Sequence, residues 1–435
     1  MKYIHTLLLL LFAASASAQT LRQCIEQALQ NNYELQIQRN DEEIARNNVS
    51  WANAGATPSV DATASYKPAW RTMERTVSRA TGEATTQSGA LDNALSALVS
   101  LDWTLFDGFR MQTSYKQYQI LQQQGELGTR MVIEDLIADV ASEYYFYLEQ
   151  VIRQQHLLYS MNLSRERLRI ADLKYQTGRL SGLDRQLALA DFHADSIAYI
   201  AQDEALTSSR IRLNNLMANE ANLSQPITLS DTTISLRTDL ALADLWQQTL
   251  AANASVLRAA QNQQLAELDL RKVLSRNYPY LRLNAQYGYN HTFYGRAANS
   301  QQSSLGLNAG LTVGFNLFDG NRRRERRNAE LTIQNRKLQS QQLELDLHTR
   351  LITFWEAYTN DLTLLSLQRE NLTIARRNYD SAMERFKVGE LSGFDLRQVQ
   401  KTLLDAEERV LQAQYDAKMC EISLLLISGR IAEYM

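Results

Sequence analysis

The sequence repeats itself, and a chain assembled twice over from one unit has few architectures open to it. Leu29, Pro58 and Tyr66 in the first half line up with Leu250, Pro279 and Tyr287 in the second. Leu105-Phe106-Asp107-Gly108 is matched by Leu317-Phe318-Asp319-Gly320. The segment from Tyr175 to Asp184, carrying Gly178, Leu180, Ser181 and Gly182, is matched by Phe386 to Asp395 with Gly389, Leu391, Ser392 and Gly393. Landmarks kept in one order at similar spacings define a unit of helix, strand, loop, strand, long helix, turn and helix. The first unit covers residues 19–229 and the second 230–435.

Each unit holds two runs of period two, which predict strands near 58–68, 92–106, 279–291 and 303–318. From Leu305 to Leu317 every second residue is apolar, and Gly306, Asn308, Gly310, Thr312, Gly314 and Asn316 fill the gaps. Leu281, Leu283, Ala285, Tyr287 and Tyr289 alternate in the same way, as do Val60 to Tyr66 and Leu95 to Leu105. A half-buried strand of a soluble sheet would alternate too. These runs, however, exceed the usual ~5–6 residues and match the ~9–11 of a strand that crosses a membrane. Aromatics near their ends, Tyr66, Trp103, Tyr287 and Phe318, fit that second reading. Pro58 and Pro279 stand at strand starts, where a missing N–H is tolerated. The polar stretches from about Arg71 to Ala90 and Gly295 to Gln302 are expected to be loops on the outer side.

The rest reads as helix. The chain has only 4 prolines and 17 glycines, and no proline interrupts Gly108–Tyr175 or Gly320–Phe386. At ~1.5 Å per residue each run would reach about 100 Å. Apolar positions such as Ile133, Ile137, Val140, Tyr144, Tyr147 and Val151 recur at spacings of three and four, which suits a narrow packing seam with the other faces wet.

Lys2, the apolar run Leu7–Phe12 and Ala16-Ser17-Ala18 together read as a secretory signal peptide over residues 1–18. No later stretch approaches the ~20 apolar residues of a spanning helix, so membrane insertion would have to use the strands. The net charge of -3 gives no reason to expect nucleic acid, and Arg322–Arg327, with no aromatic among its arginines, fits a membrane-surface or solvated collar better. Export would permit a disulfide between Cys24 and Cys420, but two unpaired core thiols are the preferred reading. The histidines His5, His156, His193, His291 and His348 have no metal-ligand spacing, and neither a nucleophile elbow nor a phosphate-binding glycine loop occurs. No enzyme activity, catalytic residue, metal or cofactor is expected.

Strands in hydrocarbon must satisfy every backbone group, so a spanning sheet has to close on itself. Four strands are too few for that, since the smallest barrels have about eight. Two copies would close a filled plug, and three would give twelve strands and a lumen.

The duplicated plan, the strand-ending Phe-Asp-Gly and the doubled Tyr/Phe-x-x-Gly-x-x-Ser-x-x-Asp turn resemble the outer-membrane efflux proteins of the TolC family, over essentially the whole chain after residue 18. The resemblance implies a mixed, mainly α fold. Long helical hairpins would form a periplasmic α-barrel, and four antiparallel transmembrane strands per chain would complete a twelve-stranded β-barrel in a homotrimer. It implies a passive exit duct in the outer membrane of a Gram-negative bacterium, serving tripartite efflux or type I secretion. Its partners would be outer-membrane lipid, a periplasmic membrane-fusion adaptor and an inner-membrane pump of RND or ABC type. The resemblance assigns adaptor contact to the tip turns at Gly178, Leu180, Ser181, Gly389, Leu391 and Ser392, and the periplasmic gate to Asp184, Asp395, Tyr175 and Phe386. Leu391 stands where the family's second turn has an arginine, leaving Arg179 and Arg397 as nearby substitutes. The same glycines and serines would serve any helical hairpin as caps, and each aspartate would suit a helix N-terminus electrostatically. A periplasmic coiled-coil scaffold without channel activity is the rival reading, and it leaves the alternating strands without a purpose.

Overall fold

The computed structural model describes residues 18–87, 89–220, 223, 227–295 and 301–435. The expected signal peptide lies outside them except for Ala18.

The elements come in two matching series. The first is α1 (Leu21–Asn31), α2 (Tyr33–Asn47), β1 (Ser59–Arg71), β2 (Glu74–Val77), β3 (Ala84–Gln87), β4 (Ala90–Phe106), α3 (Arg110–Gln176) and α4 (Gly182–Leu216). The second is α5 (Leu242–Ala252), α6 (Ala254–Ser275), β5 (Tyr280–Phe293), β6 (Gln301–Gly314), α7 (Arg322–Val388) and α8 (Gly393–Ile427), closed by a 3-10 turn at Ile431–Tyr434. The duplication reaches element length: α3 and α7 have 67 residues each, α4 and α8 have 35 each. Among the described residues no helix is long and apolar enough to cross a membrane.

One repeated device lies beyond what the sequence pattern suggested. Asn32 separates α1 from α2, and Asn253 separates α5 from α6. Each asparagine caps the helix that follows: Asn32 Oδ1 accepts from Leu35 N at 3.1 Å, and Asn253 Oδ1 accepts from Ser255 N at 2.9 Å. Their amide groups turn the other way and donate to the last carbonyls of the long helices, Leu216 O at 3.3 Å and Ile427 O at 2.9 Å. A single side chain thus satisfies one helix start and one helix end, both of which leave backbone groups unpaired.

By contacts the chain divides into two units. One comprises Glu42–Gly125 and Ala259–Gln339, and the other comprises Glu126–Arg258 and Ser340–Met435 with the segment up to Asp41. Each unit draws on both repeats, so the unit of packing differs from the unit of duplication.

The first unit contains the four-stranded sheet, in the order β1-β4-β5-β6 with every neighbour antiparallel. The β4–β5 ladder joins the two repeats. Gly288 of β5 permits that pairing, since a Cβ there would come within 2.6 Å of the Leu98 side chain and 2.3 Å of Ala97 O. Two expectations need correction. The ladder of β6 runs from Gln301 to Gly314, so Phe315, Leu317 and Phe318 lie beyond it although the alternation runs on to Leu317. The predicted loop at 71–90 contains a second small sheet, the β2–β3 hairpin, whose turn is closed by Ser78 N on Glu83 O at 2.9 Å and by Gly82 at φ 71°. The other predicted loop falls mostly outside the described residues, and Gln301 and Gln302 belong to β6.

In the second unit the core gathers Ile137, Tyr144, Leu148, Leu213, Leu351 and Tyr358 around the long helices. Lys418 is buried there against Glu421 at 2.7 Å, and its charge faces the rings of Tyr145 and Tyr434. Burial pulls this lysine below its ordinary range, and Glu421 opposes the shift. Both cysteines are free, and burial pushes Cys24 to about 12 and Cys420 to about 11, as befits inert packing thiols.

Candidate functional site

Two features stand out, one in each unit. In the sheet, register decides what alternation alone could not. Ala62 pairs with Val99, Val99 with Tyr287 and Tyr287 with Leu307, so the apolar sets of all four strands fall on one face. The opposite face carries the row Ser65, Ser96, Asn290 and Ser304, and the row Asp102, Asn284 and Gly310. Polar pairs join across it: Ser65 Oγ and Ser96 Oγ lie 2.8 Å apart, and Asn284 donates to Asp102. Leu98 is a large apolar side chain on this face, lying over Gly288.

The apolar face is uncovered in the single chain, with Leu307 and Val313 each 70% exposed. Burying an aliphatic side chain of that size is worth about 1.5–3 kcal/mol, so a row of them facing water is untenable. The outer edges of β1 and β6 have no neighbouring strand in the sheet. Unpaired backbone along strands of 13 and 14 residues adds a second unmet demand.

The second feature is the pair of helical turns, Tyr175–Asp184 and Phe386–Asp395. Gly178 has φ 70° and Gly389 φ 91°, the left-handed conformation that favours glycine. Gly178 N donates to Tyr175 O and Arg179 N to Lys174 O; Gly389 N donates to Phe386 O and Glu390 N to Arg385 O. Each turn is therefore a Schellman motif that satisfies the last carbonyls of α3 or α7. The next helix begins at once: Ser181 Oγ accepts from Asp184 N at 3.2 Å and Ser392 Oγ from Asp395 N at 3.1 Å. Each serine also donates to its aspartate's Oδ2 at 2.7 Å. The Ser-x-x-Asp pattern is thus a reciprocal cap, and both aspartates remain exposed in the single chain. We expect Ser392→Ala to cost about 1 kcal/mol of helix stability, measurable as a lower melting temperature, with Ser392→Thr restoring most of it.

The two turns differ in their aromatics. Tyr175 is 47% exposed, whereas Phe386 is 2% exposed and packs with Tyr379, Leu396 and Leu403 in a small core between α7 and α8. Lys174 binds the second turn from α3, donating to Phe386 O at 2.6 Å with its charge 4.4 Å from the Phe386 ring. Leu180 and Leu391 are half-buried, while Gly178, Ser181, Gly389 and Ser392 are exposed.

Arg179 is exposed on the turn, but Arg397 is committed to α4. Its guanidinium grips Asp195 with two bonds, Nη1 to Oδ2 at 2.7 Å and Nη2 to Oδ1 at 2.8 Å, and its Nε lies 3.6 Å from Asp191. Ser164 of α3 also donates to Asp195, and Arg167 of α3 pairs with Asp191. Gln400 of α8 completes the cluster, donating to Ser164 Oγ at 3.1 Å. Burial would push the Asp195 carboxyl up, but the donors from Arg397 and Ser164 outweigh it and hold it below the ordinary carboxylate range. Sequence reading missed this α3–α4–α8 cluster. Its only trace is polar residues at helical spacing, Ser160, Ser164 and Arg167 on α3 and Asp191 and Asp195 on α4, and spacing does not say which helix faces which.

A family model described as "Outer membrane efflux protein" matches residues 24–219 and 245–430. The chain belongs to the outer membrane efflux protein family. Solved structures of the same fold include a membrane protein from Pseudomonas aeruginosa, with a TM-score of 0.75 and 16% identity over 94% of this chain and 90% of that one. The CmeC outer membrane channel of Campylobacter jejuni gives 0.74 and 16%, over 94% and 85%. The outer membrane protein VceC from Vibrio cholerae gives 0.74 and 15%, over 94% and 96%. No curated protein sequence matches closely enough to rank as a relative. This efflux protein is mainly helical with a four-stranded antiparallel sheet and an internal duplication, and its place is the Gram-negative outer membrane, extending into the periplasm. That place accounts for the uncovered apolar face, which a water-soluble scaffold would have to hide.

Proposed function

We propose that this outer membrane efflux protein works as a homotrimer and as a passive exit duct. The carrying observation is a sheet with one continuous apolar face, one polar face and two unpaired edges, built from only four strands. Joining β6 of one copy to β1 of the next satisfies both edges, turns the apolar face to lipid and leaves the polar face around a lumen. Three copies give twelve strands, the smallest closure with room for passage. The repeats at residues 19–229 and 230–435 would each supply one hairpin to a periplasmic helical barrel. Native mass spectrometry of the detergent-extracted protein should show a trimer; a chain that stays monomeric and soluble without detergent would end this reading.

The duct has no energy source in its residues, so transport requires an inner-membrane pump, of RND or ABC type, and a periplasmic adaptor. The two turns are the regions proposed to meet that adaptor, through Gly178, Leu180, Ser181, Gly389, Leu391 and Ser392. Their local geometry supports this: exposed, sharply folded loops with their backbone groups satisfied internally make a firm docking surface. Asp184 and Asp395, exposed beside them, are proposed to line the constriction, with Tyr175 and Phe386 setting the positions of the turns. On a three-fold axis each carboxylate is presented three times, and such a ring favours cations. Asp395→Ala is therefore expected to lower cation selectivity and relieve block by multivalent cations in planar bilayers; unchanged currents would remove Asp395 from the gate.

A further inference from the structure

Phe109, between β4 and α3, is held in a left-handed conformation with φ 70°, which outside glycine only Ala218 shares among the described residues. A bulky side chain is strained there, and the strained residue leaves more than half of an apolar ring exposed. The ring has neighbours. Phe109 meets Phe106 edge-on with 5.2 Å between centroids, and Tyr278 edge-on with 5.8 Å. A register shift after Thr104 pairs Phe106 with Leu281, on the apolar face of the sheet. The three rings therefore carry that face past the strand ends to the junction of α3 and α6. Gly108 makes the junction close, since a Cβ there would lie 2.2 Å from Ser275 O.

At this junction lies a cavity of about 360 Å³ whose walls include Phe109, Lys116, Arg271, Leu274 and Tyr278. None of the lining residues is acidic, and neither Lys116 nor Arg271 has an ion pair or hydrogen bond among the described residues. A site with two cations and no carboxylate selects an anion. The duplicated plan does not require these side chains: Arg271 and Tyr278 match Ser50 and Thr57 at the spacing of Pro279 from Pro58, and Phe109 matches Asn321 after Gly108 and Gly320. A free anion would meet the cations but leave the rings in water. An anionic amphiphile meets both, with its phosphate on Lys116 and Arg271, its glycerol against Phe109, Leu274 and Tyr278, and its acyl chains along the apolar face of β4 and β5. We propose that this cavity binds the phosphodiester headgroup of an anionic glycerophospholipid. A zwitterionic headgroup brings an ammonium that the two cations disfavour. The inference rests on the reading that the apolar face meets lipid, and it adds one fixed lipid site per chain.

The test is native mass spectrometry of the full-length protein in detergent, titrated with phosphatidylglycerol and with phosphatidylcholine of the same acyl chains. Phosphatidylglycerol should bind at least about tenfold more tightly than phosphatidylcholine, and at least about tenfold more tightly than glycerophosphoglycerol or inorganic phosphate. Lys116→Gln combined with Arg271→Gln should weaken phosphatidylglycerol about thirtyfold, roughly fivefold for each charge. Arg336→Gln combined with Lys337→Gln removes two exposed cations from α7 and should change nothing. Phe109→Gly keeps both charges and removes the ring, so it should weaken the lipid and leave inorganic phosphate unaffected. Equal binding of the two lipids, inorganic phosphate bound as tightly as phosphatidylglycerol, or an affinity no more sensitive to the Lys116 and Arg271 substitutions than to those on α7 would overturn the proposal. The cavity lies within one chain, so these affinities are read from trimer or monomer alike, and the oligomer in the same spectra tests the duct reading separately.

Discussion

Replacing Leu307 by arginine is expected to stop the chain from assembling in the outer membrane, whereas the same replacement at the next residue, Asn308, should leave assembly intact. Both residues lie midway along β6, and both are exposed in the single chain. They differ in the face they occupy: Leu307 pairs with Tyr287 on the apolar side, and Asn308 with Gln286 on the polar side. An arginine facing lipid near the bilayer midplane costs about 2–4 kcal/mol, and the proposed trimer would incur it three times. One facing the lumen stays hydrated and alters only the field along the passage. Heat-resistant trimer in outer-membrane fractions is the measurement: it should be lost for Leu307→Arg and retained for Asn308→Arg, which should instead show reduced cation selectivity in bilayers. Equal tolerance at the two positions would contradict the assignment of faces.

The second large effect is expected at Arg397. Removing its side chain strands Asp195, whose carboxylate is largely enclosed between α3, α4 and α8. Breaking a buried pair by deleting one partner costs about 3–5 kcal/mol; the lower figure is the better guide, since Arg397 keeps 25% of its side chain exposed. Arg397→Ala should therefore loosen α8 from α4, read as faster proteolytic nicking at the two turns and more frequent openings in planar bilayers. Arg397→Lys should rescue only partly, because lysine cannot reproduce the two-pronged grip on a carboxylate. Acid should act on the same pair. The folded Asp195 carboxyl is held below its ordinary range, so its contribution is complete above the unfolded value near ~3.9 and is lost as pH falls through the depressed folded value. The unsubstituted protein should show an acid-induced rise in opening in that window, and Asp195→Asn should lack it. Nicking and openings unaffected by Arg397→Ala would show that the cluster does not hold the tip.

The resemblance placed an arginine where Leu391 stands, and here other side chains link the two hairpins. The bond between hairpins is made further along the helices, by Arg397 on Asp195, with Lys174 bound to the Phe386 carbonyl nearer the turn. Cross-links of this kind tie α8 and the end of α7 to α3 and α4, and their strength comes from burial as much as from charge. Exposed ion pairs elsewhere on the helices, such as Arg169 with Glu166, have side-chain exposures of 61% and 44% and add little.

Much of this protein is written in local pattern. Period two in the strands, the glycine and Ser-x-x-Asp of each turn, and the long runs free of proline all express short-range rules: pleat geometry, capping of unpaired backbone groups and helix continuity. The same rules explain the errors. Alternation continued past Gly314 to Leu317 although the ladder did not, because alternation records side-chain chemistry and not backbone pairing. The β2–β3 hairpin was illegible because the sequences of its segments, Glu74–Val77 and Ala84–Gln87, carry no alternation of apolar and polar residues. Only the tertiary structure decided that β4 pairs with β5 across the repeat boundary, so that four apolar sets share one face. It alone joined Asn32 to Leu216 and Asn253 to Ile427, and gathered Arg167, Asp191, Asp195 and Arg397 from three helices. Contacts of that range depend on which faces of long helices meet, and that is settled by the simultaneous packing of all of them. The sequence by itself determined the kind of the principal elements and their doubled order; the fold decided which side chains those elements bring together.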